Sequence, residues 1–270
     1  MSNPASAVAH PAATQPLDAR APRRVRHDPR RRSLTVKQIE TIAAHMIRVT
    51  LTGDLDGFVS LGFDDHVKLF FPDGTTNAEG APSTLGRDFT PRRHDARNNT
   101  LEIDFAIHDA GPATRWAAQA KPGDTLALGG PRGSFIIPTT YDWHLLIGDE
   151  TALPAVSRRL AELPAGTRAV VVVEVDGPDD AIALPTATNA TVTWAYRNGV
   201  AAGDSDVLAK TLATLKLPAG DYYGWVACES LTAKALRRQL IADHGANPKW
   251  LRAAGSWRRG TAAVHDVIED

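Results

Sequence analysis

The chain has 270 residues, 30 Lys and Arg against 31 Asp and Glu for a formal charge of −1, and 43% hydrophobic residues. That is material for two cored domains, and near-neutrality removes any global electrostatic case for nucleic acid as a partner. The single cysteine, Cys228, excludes a disulfide framework and a thiolate-only metal site, and no apolar run approaches the ~20 residues that span a bilayer, so a cytoplasmic protein without membrane insertion is expected.

Residues 1–32 are Ala- and Pro-rich and then basic, through "RAPRRVRHDPRRR". Paired arginines near an N-terminus resemble an export signal, but no hydrophobic segment follows them, so a disordered basic tail is expected. Residues 33–140 carry the signals of an antiparallel β-domain. "MIRVTLTG", "HVKLFFPDG" and "NTLEIDFAI" alternate or run apolar over strand lengths and are bounded by Gly, Asp, Asn or Pro. About six strands with one short helix predict a barrel.

Two stretches of that domain carry chemistry. In "GRDFTP" (86–91), a guanidinium (Arg87), an aromatic ring (Phe89) and a hydroxyl (Thr90) stand within four residues of one another. In "HDAGPATRWA" (108–117), a glycine, a proline and Thr114 stand at a helix start, where free N–H groups and the helix dipole favour an anion. His108 lies just before that turn, and Trp116 reads as core.

Residues 141–270 alternate strand and helix. The apolar strands "HLLIG", "AVVVVEV", "TVTWAY" and "YYGWVAC" predict a parallel sheet covered on both faces, with helices after the first, third and fourth. The first strand ends in "GDETALP" (148–154), a glycine and two carboxylates ahead of a helix that repeats Leu153, Val156, Leu160 and Leu163 on one face. A turn of this kind is where open α/β sheets place ligands. The expected fold is therefore an antiparallel β-barrel followed by an α/β parallel-sheet nucleotide-binding domain.

A barrel followed by such a domain is the order of ferredoxin-reductase-like flavoproteins, and "GRDFTP" resembles their Arg-x-Tyr-Ser/Thr flavin motif. "GPAT..WA", "GDETALP" and "AAGSWRRG" make the chain resemble the siderophore-interacting protein family, a branch of FAD-binding ferric-siderophore reductases, from about Arg30 to Gly260. Phe89 replaces the usual tyrosine, and Ser256 stands where a tyrosine usually precedes the tryptophan. The resemblance implies FAD held by Arg87, Asp88, Phe89, Thr90, His108, Gly111, Ala113 and Thr114, with a nucleotide at Gly148, Asp149, Glu150, Thr151 and Ala152. It implies no resident metal and no catalytic side chain, because the electron chemistry belongs to the flavin.

Ferric siderophores are often anionic, so a basic lining is expected near the flavin. Lys68, inside an apolar strand, leads, followed by Arg132, Arg252 and Arg258. Arg197 would meet the 2′-phosphate of NADPH, whereas Glu174 and Asp176 would suit the ribose of NADH. Some relatives take electrons from a ferredoxin instead. The same motifs would serve a flavoprotein reductase with another acceptor, such as flavin, quinone or a protein, or a binding module without turnover. The oligomeric state is open, with a monomer as the default.

Overall fold

In the computed structural model, residues 20–76, 80, 82–107, 111–185, 187–260 and 266–268 are described. The first half contains β1 (Arg23–Arg26), β2 (Arg31–Ala43), β3 (Met46–Gly53), β4 (Val67–Thr76), β5 (Pro82–Phe89), β6 (Arg93–Asp95) and β7 (Thr100–Ala106). After these come α1 (Pro112–Gln119), β8 (Thr125–Gly129) and β9 (Gly133–Ile136). Seven of these strands form one antiparallel sheet in the order β5-β4-β8-β2-β3-β7-β6. Every second side chain is buried, as in Leu34 and Val36, Val49 and Leu51, or Val67, Leu69 and Phe71.

Three strands separate β4 from β7 in that order, yet the rings of Phe71 and Phe105 meet edge-on with centroids 6.2 Å apart. The sheet therefore curls until its two wings share one apolar core, and α1 packs its Ala117 into it. This is the expected barrel.

The basic N-terminal segment departs from expectation. Residues 23–26 are strand β1, paired antiparallel with β9 so that Val25 faces Ser134. His27 bonds Ser134 Oγ at 2.7 Å, and Arg20 pairs with Asp221. The disordered basic tail expected over residues 1–32 is thus corrected from residue 20 onward, where the segment is an ordered strap; residues 1–19 lie outside the described residues.

The second half contains β10 (Trp143–Gly148), α2 (Leu153–Glu162), β11 (Arg168–Val175), β12 (Asn189–Tyr196), α3 (Val207–Thr214), β13 (Tyr222–Glu229), α4 (Ser230–His244), β14 (Leu251–Trp257) and β15 (Asp266–Ile268). The strand order is β12-β11-β10-β13-β14-β15, parallel except for β15. Alternate residues of β10 serve opposite faces. Leu146 packs with Leu153, Val156 and Leu160 of α2 and with Phe63 and Ile137 from the barrel side, while Leu145 and Ile147 pack with Leu208 of α3 and Leu236 and Leu240 of α4. No helix among the described residues is long and apolar enough to cross a membrane.

After β12 the chain returns to the other side of β10, so the sheet reverses its winding between β10 and β13. Such a switch opens a crevice beyond the strands' carboxyl ends. Buried polar groups lock the barrel against this sheet. Asp64 accepts from Trp225 Nε1 at 3.2 Å and Arg252 Nε at 3.1 Å. Arg158 donates to Ser60 O and Pro91 O at 2.9 Å, and Arg159 donates to Ile137 O and Pro138 O.

Candidate functional site

The crevice and the facing end of the barrel form one cavity of about 960 Å³. That volume lies at the upper end of the ~300–1,000 Å³ typical of cofactor sites.

On the barrel side the cavity is walled by the end of β5 and the start of α1. Pro112 occupies the first turn of α1, where its missing N–H costs nothing, and the N-cap Gly111 brings no side chain to cap the helix. Among the described residues no side chain caps the first-turn N–H groups of Ala113 and Thr114, which leaves them to an anion. Arg87 commits one donor, Nη1, to Gly86 O at 2.9 Å, and its neighbour Thr90 is buried at the cavity wall. The ring of Phe89 lies 4.6 Å from Phe105 and 5.9 Å from Phe71, so it closes the barrel core as well as lining the cavity. Trp116 joins the same aromatic cluster. A guanidinium, an uncapped helix start, two hydroxyls and an aromatic floor fit the pyrophosphate and ring of FAD. His108 lies outside the described residues.

The Asp88 carboxylate meets Lys68 Nζ at 2.8 Å across the β4–β5 pair. Lys68 does not line the cavity, and Asp88 does.

On the sheet side, Gly148 ends β10 with no room for a side chain: a Cβ there would stand 2.6 Å from Ala227 O. Asp149 then caps a 3-10 turn over Glu150–Ala152. Its carboxylate accepts from Thr151 N at 3.0 Å, from Thr151 Oγ1 at 2.5 Å and from Trp257 Nε1 at 2.8 Å. Burial, and then the neighbouring Glu150, push its pKa up to about 6. Glu150 turns to the end of β12, where it holds Arg197 through two bonds of 2.7 and 3.0 Å, and Arg197 also approaches Glu174 at 3.5 Å. Burial raises Glu174 to about 7, with Asp149 adding to the shift and Arg197 opposing it.

The acids of the turn thus have intramolecular partners: Asp149 holds the turn and Trp257, and Glu150 neutralises Arg197. Arg197, expected to meet a 2′-phosphate, is ion-paired to Glu150 in this structure. Asp176 is likewise engaged, accepting from Gly199 N at 2.8 Å.

The four expected substrate-side cations are dispersed. Arg258 is exposed on the cavity wall beside Arg259, which pairs with Asp204. Arg132 is exposed outside the cavity, and Arg252 stacks over Phe135 at 4.6 Å in a second, smaller one. Sequence reasoning missed Trp257, whose indole is seated against Gly203; a Cβ at that φ +80° position would come within 3.0 Å of it. It also missed His45, whose backbone N–H and ring Nδ1 bond Asp180 across the two halves at 2.9 and 3.0 Å. A tryptophan ending a strand was a usable signal for the first; nothing local announces the second.

Comparison with known proteins matches residues 35–135 to the siderophore-interacting FAD-binding domain and residues 141–260 to the siderophore-interacting protein family. An NADPH-dependent ferric-chelate reductase of Escherichia coli (strain K12) is 39% identical over 256 residues, covering 88% of this chain and 97% of that protein. The chain belongs to the siderophore-interacting protein family. The ferric vibriobactin reductase ViuB of Vibrio cholerae is 31% identical over 235 residues, covering 81% of this siderophore-interacting protein and 86% of that one. The crystal structure of a siderophore utilization protein from T. fusca superposes with a TM-score of 0.83 at 36% identity, over 90% of this chain and 98% of that one. FAD is the cofactor of the barrel domain.

Proposed function

We propose that this siderophore-interacting protein is an FAD-dependent reductase that takes electrons from NAD(P)H and delivers them to a ferric siderophore, releasing iron as Fe(II). The observation that carries this reading is that a single cavity runs from Arg87 and the start of α1 to Glu150 and Thr151 of the turn after β10. A flavin at one end and a nicotinamide nucleotide at the other share one space. The names of its E. coli and V. cholerae relatives support the acceptor class.

FAD bound there supplies the conversion between a two-electron donor and a one-electron acceptor. The chain's own residues bind and orient. Arg87, the α1 N–H groups and the Thr114 hydroxyl would hold the pyrophosphate, Thr90 would offer its hydroxyl to the flavin's polar edge, and Phe89 with Phe105 would keep water from the barrel floor. Asp149 fixes the shape of the nucleotide turn. Arg258 places positive charge on the wall an anionic chelate would approach. Hard oxygen ligands hold Fe(II) less tightly than Fe(III), so electron delivery itself loosens the metal.

Stopped-flow mixing of the FAD-loaded protein with NADH and NADPH, followed by reoxidation with a panel of ferric chelates, tests both halves. Bleaching of the flavin by a nucleotide and its recovery with ferric siderophore are expected. Reduction by neither nucleotide sinks the donor assignment; recovery with quinone but not with any ferric chelate sinks the acceptor.

A further inference from the structure

A second cavity, of about 220 Å³, opens beside the starts of β13 and β14 and is walled on one side by the β1 strap. Four cations reach it from separate elements: Arg24 from β1, Arg237 from α4, Lys249 from the 3-10 turn Pro248–Trp250, and Arg252 from β14. The guanidinium of Arg24 lies 5.3 Å and that of Arg252 4.6 Å from the ring centre of Phe135. Over an aromatic ring, a guanidinium keeps its N–H donors for an acceptor.

Arg252 commits its Nε to Asp64, while neither Arg24 nor Lys249 forms an ion pair among the described residues. No Asp or Glu is among the described residues of the wall. Tyr223, 2% exposed, is part of that wall, and its hydroxyl has no hydrogen-bond partner among the described residues. An orphaned buried hydroxyl and converging like charges are both costly, and one occupant relieves both.

We propose that this cavity is a binding site for a small, multiply charged oxyanion of the phosphate class. Its volume is several times a single water's share of ~30 Å³, yet below the ~300 Å³ at which drug-sized ligand pockets begin, so it suits a phosphate or pyrophosphate group and excludes a dinucleotide. The site is separate from the flavin cavity and does not depend on the reductase reading. It also gives the basic "RRVR" strand a role: β1 carries Arg24 onto the rim.

The test is calorimetric titration of the FAD-loaded full chain with inorganic phosphate and with pyrophosphate, at ionic strength held constant with chloride. Saturable binding is expected, weakened roughly tenfold by Lys249→Ala and by Arg24→Ala, both surface positions, and weakened also by Tyr223→Phe. Arg258→Ala, which alters the large cavity, should leave the affinity for phosphate unchanged. Absence of saturable binding overturns the proposal, as does binding abolished by Arg258→Ala and retained in the Lys249 and Arg24 variants. Binding that appears only after removal of Glu269 and Asp270 also overturns it, by assigning the cavity to the chain's own acidic end.

Discussion

The indole N–H of Trp257 donates to Oδ2 of Asp149 at 2.8 Å, tying the end of β14 to the turn that leaves β10. The same carboxylate holds the amide and hydroxyl of Thr151, so one buried side chain organises the wall against which a nucleotide would lie. Asp149→Ala strands three donors and should cost on the order of 1–3 kcal/mol in urea unfolding. Nucleotide-driven reduction should slow while the bound-flavin spectrum stays unchanged. Loss of flavin in this variant would place the turn in the FAD site instead.

Glu174 makes stability fall with rising pH. Its pKa stands near 7 in the folded protein against an ordinary value of 4.5, so between those values the unfolded chain has released a proton that the native state retains. Each increment of pH in that window favours the unfolded state, until Glu174 ionises in the fold as well. Glu174→Gln mimics the protonated side chain. Its stabilising effect relative to wild type should be larger at pH 8 than at pH 5, by on the order of 1–3 kcal/mol. Equal differences at the two pH values would show that the carboxyl is not held protonated.

Arg197→Ala leaves Glu150 and Glu174 facing each other without their shared cation. Breaking a buried pair in this way costs about 3 kcal/mol or more, seen as a lowered unfolding midpoint. Because Arg197 is already neutralised, KM for NADPH and KM for NADH should change by similar factors. A rise confined to NADPH would show that the guanidinium leaves Glu150 to meet a 2′-phosphate.

Arg87 is the reverse case, since its one hydrogen bond among the described residues is to the adjacent Gly86 O. Arg87→Ala should leave the unfolding midpoint of the apoprotein nearly unchanged while weakening FAD by on the order of 1.5–3 kcal/mol, measured by flavin fluorescence titration. Wild-type FAD affinity in this variant would make Arg87 a surface residue.

What the sequence disclosed tracks the distance over which each feature is encoded. The β10–α2 unit is read from its own residues, because an apolar run of strand length and a 3.6-residue repeat need no partner to be recognised. Pro112 and Gly111 likewise mark the start of α1 locally. The pairing of Glu150 with Arg197 spans 47 positions and that of His45 with Asp180 spans 135, and each depends on which strand ends the fold brings together. Strand β1 was illegible for a related reason: "RRVR" has a single apolar residue, and it is ordered by the edge of β9 rather than by any core of its own.

Lys68, expected to face the substrate, lies outside the large cavity, and we propose that it acts through a neighbour that lines it. Its ammonium meets Asp88 at 2.8 Å with both side chains about two-fifths exposed, and Asp88, not Lys68, lines the large cavity. An exposed pair of this kind contributes less than about 1 kcal/mol to stability, so Lys68→Ala should unfold nearly as wild type does. It does uncover a carboxylate on the wall that an anionic chelate approaches. Lys68→Ala should therefore raise KM for an anionic ferric chelate, and less so at high salt, where screening weakens the repulsion. Adding Asp88→Asn to that variant removes the uncovered charge and should bring KM back toward wild type. Arg258→Ala, which deletes a cation from the wall itself, should raise KM in a way that Asp88→Asn offsets only in part. If the Lys68→Ala/Asp88→Asn double variant keeps the high KM of Lys68→Ala alone, the ammonium contacts the chelate directly and the indirect role is wrong.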